Sequence, residues 1–184
     1  MRSTSASAAE VAATLPGDDI VPTAEVVMDR AFTLAATPQL VWPWFVQLGK
    51  QRAGWYLPRS IERLVPSGRR ALRHVDSELQ SLSVGDVIPD WGGKDATFEV
   101  AILAPQHALV HISSRGKVRL SWAITLAPVA GGRTRVHLRL RLGGIKHTRL
   151  AEIGGGFFDE LTIVGLAAGL RERLRDAARH RPGA

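Results

Sequence analysis

The feature that most constrains this chain is a set of segments in its second half in which polar and apolar residues alternate. These segments are residues 97–103, 108–114, 118–127 and 133–142. The pairs Pro105-Gln106, Arg115-Gly116 and Gly131-Gly132 separate them. Because successive side chains of a strand point to opposite faces, a period of two predicts strands, and short turns between them predict antiparallel neighbours. The second half therefore predicts an antiparallel meander with one buried face.

Helices and one further strand flank this meander. The other predicted elements are a strand over residues 24–34, a helix over 37–48, a short helix over 58–65 and a long helix over 157–179. Thr37 can cap the first helix with Pro38 at its first position, and Gly49 ends it. Pro43 lies past the first turn and predicts a kink. Residues 69–84 fit neither pattern. The order predicts an α+β fold in which a curved antiparallel sheet wraps around a long C-terminal helix.

The length of 184 residues suits one domain. Residues 1–23 are rich in Ser, Ala and Thr and have no sustained period, so they predict a disordered tail before a single ligand-binding domain over residues 24–180. The absence of cysteine excludes disulfides and thiolate metal sites and suits a reducing compartment. No apolar run reaches the roughly 20 residues of a membrane span, and we expect a cytoplasmic protein.

The formal net charge of +7 raises the question of an anionic partner. In the last strand Arg133, Arg135, His137, Arg139 and Arg141 alternate with apolar residues. The alternation predicts that these basic residues form the outer face of the sheet. That face is either a phosphate-binding surface or an ordinary solvated face. It has no interleaved aromatic residues on which bases could stack, so we expect no specific nucleic acid.

Aromatic residues indicate a pocket between sheet and helix. The residues expected to contact a ligand there are Trp44, Phe45, Trp55, Tyr56, Trp91, Phe98, Trp122, Leu138, Phe158, Leu161 and Gly165. Glycine inside a helix costs about 1 kcal/mol relative to alanine, so Gly165 and Gly169 need a structural reason. They either leave room for a cavity or allow close approach of the helix backbone. Polar groups available at the aromatic mouth are Arg52, Tyr56, Asp86, Asp90 and His111.

Catalytic motifs are absent. The sequence has no nucleophile elbow, phosphate-binding loop, dinucleotide fingerprint or zinc-protease motif. Its one pair of histidines at four-residue spacing, His107 and His111, lies at a predicted strand and not on a helix, where that spacing would place both on one face. We therefore expect neither metal nor cofactor. Val110 and Ile112 predict the inward face of their strand, which would expose His111. Asp90 is either a turn residue or, if desolvated, a general base.

Several runs resemble the START-like helix-grip (SRPBCC) superfamily, and more narrowly its bacterial polyketide cyclase/dehydrase and lipid-transport-like subgroup. The runs are AATPQLVWPWFVQLGKQRAGWY, SLSVGDVIPDWGG, FEVAILAPQHALVHISS, SWAITLAPVAGGRTRVHLRLRL and GLAAGLRERL. The resemblance covers about residues 24–176. It implies a β-α-α-β(6)-α order, an interior hydrophobic cavity and a proline inside the first helix at Pro43. It carries over no catalytic residue, and relatives include sterol, hormone and lipid binders without chemistry.

Three functions remain open at this point. The first is non-enzymatic binding of a lipid-, isoprenoid- or polyketide-like molecule, as a carrier or sensor. The second is a cyclase or dehydratase in which Tyr56, Asp90 and Arg52 serve as general acid, general base and oxyanion stabiliser. The third is binding of nucleic acid or an anionic membrane through the outer arginine face.

Overall fold

The structure, a computed structural model, describes residues 4–91, 93, 95–145 and 160–180. Its helices are α1 (Ala8–Ala12), α2 (Pro38–Val46), α3 (Arg59–Glu62) and α4 (Glu160–Arg179), with 3-10 turns at Ser67–Arg69 and Ser77–Leu79. Its strands are β1 (Val26–Leu34), β2 (Val87–Pro89), β3 (Thr97–Ala104), β4 (Ala108–Arg115), β5 (Val118–Val129) and β6 (Arg133–Gly143). The predicted start of the last helix at residue 157 lies outside the described residues.

The strands form one antiparallel sheet in the order β1-β6-β5-β4-β3-β2. The predicted meander is confirmed, and β1 joins it at the free side of β6. Within the described ranges five strands follow the two short helices, one fewer than the resemblance implies. The ambiguous stretch 69–84 contains a 3-10 turn rather than a strand, since Asp76 caps the turn by accepting a hydrogen bond from the Glu78 amide.

The inner face of the sheet carries the core. In β5 and β6 the register places Trp122 opposite Leu140 and Ile124 opposite Leu138, and all four are buried. Alternation thus oriented these two strands correctly. Helix α4 packs over this face through a buried stripe formed by Ile163, Leu166, Ala167, Leu170 and Leu174. Helix α2 contains Pro43, as the resemblance implies, and packs into the same core.

The orientation predicted for β4 is wrong. The register pairs His111 with Trp122, so His111 points inward and is 4% exposed, whereas Val110 and Ile112 lie on the outer face. The prediction assumed that the apolar side of a strand faces the core. Val110 is fully buried all the same, because the outer face is also covered.

Residues 4–23 provide that cover, in contrast to the predicted disordered tail. The sequence Ser7-Ala8-Ala9-Glu10 forms a capping box, in which the Glu10 amide donates to Ser7 Oγ and the Ser7 amide donates to Glu10 Oε2. Helix α1 then crosses the outer face. Farther on, Gly17 passes so close to Val110 that an added Cβ would lie 2.7 Å from Val110 Cγ1. The capping box is the signal in the sequence from which this segment could have been predicted to be structured.

The outer arginines bind this segment instead of facing solvent. Arg135 Nε lies 2.6 Å from Glu10 Oε1, and Arg141 Nε donates to the Val21 carbonyl at 3.0 Å. Arg139 is 3% exposed and contacts Asp18 and Asp29, each at 2.8 Å. The prediction of a solvated face is therefore wrong for these arginines. An anion-binding surface at Arg135 and Arg139 would require displacement of residues 4–23.

Candidate functional site

A tight loop after α2 begins the candidate site. The Gly54 amide donates to the Gly49 carbonyl at 2.9 Å, which closes the loop. Gly54 has φ +81°, a conformation that side chains rarely adopt, and an added Cβ would lie 3.0 Å from Ala71 Cα. Glycine at this position lets the loop approach Ala71 closely, and it directs the chain so that Trp55 contacts the sheet.

Three indoles and a phenyl ring meet at the inner end of this loop. The Trp55 ring centroid lies 5.8 Å from that of Trp91 and 6.2 Å from that of Trp122, and Phe98 lies 6.0 Å from Trp122. These spacings are typical of packed aromatic pairs. Trp91 is 42% exposed and Trp122 is 3% exposed, so the aromatic cluster runs from the surface into the core.

His111 is the polar member of this aromatic cluster. Its ring is stacked on Trp122 at 5.5 Å and lies 5.7 Å from Phe98. Burial, and secondarily the positive charge of Arg52, lower the His111 pKa to about 4, so the ring is neutral at pH 7. Within the described ranges its buried Nδ1 has no hydrogen-bond partner. The sequence analysis expected His111 to be exposed. Its cross-strand position opposite Trp122 was the signal that could have placed it on the inner face.

A groove of about 600 Å³ opens beside the aromatic cluster. Among the residues that line it are Lys50, Arg52, Trp55, Leu57, Arg69 and Trp91. Its volume lies within the range of small-molecule sites. The sequence analysis selected Arg52 and the two tryptophans, but not Lys50 or Arg69. For Arg69, nothing in the ambiguous 69–84 region indicated where the chain would fold.

The three catalytic candidates each make structural contacts. The Tyr56 hydroxyl donates to the Trp44 carbonyl at 2.9 Å and is fully buried, and burial raises its pKa. Arg52 donates to the Leu79 carbonyl at 2.8 Å. Asp90 is 1% exposed and forms an ion pair with Arg115. These contacts fix the three side chains in place, and within the described ranges the second oxygen of Asp90, Oδ1, is buried without a hydrogen-bond partner.

Of the remaining predicted residues, Trp44, Phe45 and Leu138 are buried in the core, and Trp44 contacts Tyr56 rather than the other indoles. Leu161 is 72% exposed, because the buried stripe of α4 begins two residues later on another side of the helix. Phe158 lies outside the described residues. Asp86 accepts a hydrogen bond from the Ser83 amide.

The two glycines of α4 allow close approach of the chain rather than leaving open space. An added Cβ would lie 2.9 Å from Leu57 Cδ2 at Gly165 and 2.7 Å from the Tyr56 carbonyl at Gly169. Of the two alternatives left open by the sequence, the structure thus supports tight packing. Trp55 and Leu57, on either side of Tyr56, line the groove described above.

Arg173 of α4 stabilises this packing. It is fully buried and contacts the Glu62 carboxylate. It also donates to the carbonyls of Leu57 and Leu72, and its guanidinium lies 4.7 Å from the Tyr56 ring centroid. Arg173 therefore ties α4 to the segment that carries one wall of the groove.

The curved antiparallel sheet, the short helices after β1 and the C-terminal helix packed on the inner face define a helix-grip α+β protein, as the sequence resemblance predicted. No protein-family model matches the chain, and no curated protein sequence matches it. Solved structures do match. Protein NE0264 from Nitrosomonas europaea is 19% identical with a TM-score of 0.51, and the match covers 83% of this chain and 96% of that one.

Two further solved structures are similar at comparable identity. A protein from Rhodobacter sphaeroides is 15% identical with a TM-score of 0.51, over 84% of this chain and 95% of its own. A point mutant of norcoclaurine synthase from Thalictrum, in complex with a transition-state analogue, is 11% identical with a TM-score of 0.49, over 83% and 96%. At these identities the two matches with a TM-score of 0.51 show the fold alone. In the part of the chain that is described, no helix has the length and apolar character needed to cross a membrane.

Proposed function

We propose that this protein binds a hydrophobic small molecule, of lipid-, isoprenoid- or polyketide-like character, as a carrier or sensor. The observation that carries the proposal is the aromatic cluster, which reaches from the core to a 42% exposed indole at the edge of a groove of about 600 Å³. A large exposed indole beside a groove is what a binding site for an apolar body requires.

The site proposed here differs in position from the cavity expected between sheet and α4. Leu138 and Leu170 are fully buried, and residues 56–57 contact α4 at both of its glycines. The groove lies across residues 55–57 from this packed region, and Trp55 and Trp91 form its apolar wall. We therefore assign the ligand to the groove and its aromatic wall.

An estimate of affinity indicates what such a wall can supply. Burial of roughly 300 Å² of apolar surface gives about 7–8 kcal/mol at ~25 cal/mol per Å², and association costs at least about 4 kcal/mol. Apolar contact alone therefore gives millimolar-range binding at about 4 kcal/mol or less. Tighter binding requires polar groups on the groove as well.

The test is titration of the purified protein with an environment-sensitive apolar dye, together with native mass spectrometry of gently purified protein. The variant Trp91→Ala removes the exposed part of the wall, and Val84→Ala removes an exposed apolar side chain that does not line the groove. We expect Trp91→Ala to weaken dye binding at least about tenfold, from the ~1.5 kcal/mol or more of a large side chain's contact. Equal affinities of Trp91→Ala, Val84→Ala and the unmodified protein would refute the proposal.

A further inference from the structure

Besides its apolar wall, the groove has a lining of positively charged side chains. Four cationic side chains line it: Lys50, Arg52, Arg69 and Arg70. The carboxylate that lines it within the described ranges is Glu62, which is 6% exposed. Glu62 is bound by Arg173 on one oxygen and by Arg73 at 2.8 Å on the other, so its charge is compensated by two arginines that do not line the groove.

The contacts of these cations fix their positions without cancelling their charge. Lys50 Nζ donates to the Asp90 carbonyl at 3.0 Å, and Arg52 donates to the Leu79 carbonyl at 2.8 Å. Arg70 Nε donates to the Val65 carbonyl at 2.9 Å. A carbonyl oxygen carries only a partial charge, so these hydrogen bonds do not neutralise the side chains. Arg52 has in addition an electrostatic interaction with the Asp86 carboxylate, so the charge without a nearby carboxylate is that of the other cations. Arg69 is exposed, and no described residue accepts a hydrogen bond from its guanidinium or forms an ion pair with it.

From this juxtaposition we infer that the ligand of the groove is an anionic amphiphile, whose apolar body lies on Trp55 and Trp91 and whose carboxylate or phosphate group is bound by Arg69 and Arg70. The inference rests on the proposed function and narrows its ligand class. Arginine is suited to this role because its planar guanidinium binds carboxylate and phosphate oxygens in pairs. A neutral ligand of the same shape would form no ion pair with Arg69 or Arg70.

The experiment compares three probes of equal chain length, decanoate, decyl phosphate and decanol, below their micellar concentrations and by calorimetric titration. We expect both anions to bind the unmodified protein at least about tenfold more tightly than decanol, as charge-assisted hydrogen bonds are among the strong ones. The variant Arg69→Gln/Arg70→Gln should lose about tenfold in affinity for the anions and keep its affinity for decanol.

A matched control separates local binding from general attraction by a basic protein. Arg119→Gln/Arg133→Gln removes the same charge from exposed positions that do not line the groove, and we expect less than about a twofold effect on any probe. Arg69→Gln alone removes a side chain without structural contacts, so a severalfold loss for the anions with this variant excludes misfolding as the cause.

Three results would overturn the inference. Decanol binding as tightly as decanoate, with the Arg69→Gln variants unchanged, would leave the proposed function standing and reject the anionic ligand. A control variant that loses as much affinity as the groove variant would reject it as well. Absence of binding for all three probes would reject the inference and the proposed function together.

Discussion

Replacement of the two glycines of α4 by alanine separates helix propensity from packing. Both Gly165 and Gly169 lie inside the helix, where alanine is favoured over glycine by about 1 kcal/mol. Their neighbours differ, however. A Cβ at Gly165 would approach the end of the Leu57 side chain, at 2.9 Å, whereas a Cβ at Gly169 would approach the Tyr56 carbonyl at 2.7 Å and the Leu57 carbonyl carbon at 2.8 Å.

The sign of each effect follows from what can move. A side-chain terminus can rotate away, so we expect Gly165→Ala to be neutral or up to about 1 kcal/mol more stable than the unmodified protein. The backbone at residues 56–57 cannot move freely, because Arg173 binds the Leu57 carbonyl and Tyr56 binds the Trp44 carbonyl. Overpacking against it costs about 1–3 kcal/mol, and Gly169→Ala should be destabilised by up to about 2 kcal/mol after the propensity gain.

Urea denaturation provides the measurement. The gain in helix propensity is the same in both variants and cancels in their difference. The free energy of unfolding of Gly169→Ala should therefore be about 1–3 kcal/mol lower than that of Gly165→Ala, at unchanged m-value. Gly68→Ala serves as a control, since an added Cβ there meets nothing within 4 Å. If Gly169→Ala were as stable as Gly165→Ala, the close approach of residues 56–57 to α4 would be disproved.

Two further predictions concern the buried polar groups. Burial lowers the pKa of His111 to about 4 in the folded protein, whereas a histidine in the unfolded chain has a pKa near 6.5. As the pH falls, the unfolded chain is therefore protonated at His111 before the folded protein is. The free energy of unfolding should be highest above pH 6.5 and should fall by about 3 kcal/mol as the pH drops to 4. Urea unfolding across this range should show the slope, and an equally steep profile in His111→Phe would contradict it. Arg139→Met removes the buried partner of Asp29 and Asp18 and should cost about 3–5 kcal/mol, against less than about 0.5 kcal/mol for exposed Arg119→Met; similar unfolding midpoints for the two variants would show that the ion pairs are not structural.

The strands were predictable from sequence because their alternation is strong and their turns are short. In β6, arginine on one side and leucine on the other leave a single orientation that buries the leucines. Strand β4 has apolar residues on both sides, and there the same reasoning fails. His111 is less apolar than Val110, yet it occupies the inner face, because its register with Trp122 is set by the pairing of the whole strand and not by one residue.

The candidate site was only partly predictable, for a related reason. The tryptophans could be selected from the sequence, but their separation along the chain does not give the distances between them. In the structure Trp44 lies against Tyr56. The aromatic cluster is formed instead by Trp55, Trp91 and Trp122. One side of the groove is formed by residues 62–71, where Arg173 contacts the Glu62 carboxylate and donates to the Ala71 carbonyl. An arginine in a basic helix gives no sequence signal that it will be buried.

The same ion pairs change what the net charge of +7 implies for function. On the outer face, Arg135 is compensated by Glu10 and Arg139 by two aspartates, so the strand with the most basic sequence contributes little free charge. At the groove, by contrast, Lys50 and Arg52 are bound by carbonyl oxygens, and Arg69 is exposed. Potential at a surface depends on charges that lack a nearby counter-charge, not on the number of basic residues. If the groove binds an anionic ligand as inferred, the basic residues that act on it are therefore those that line the groove and not those of the sheet, where the sequence predicted the basic face.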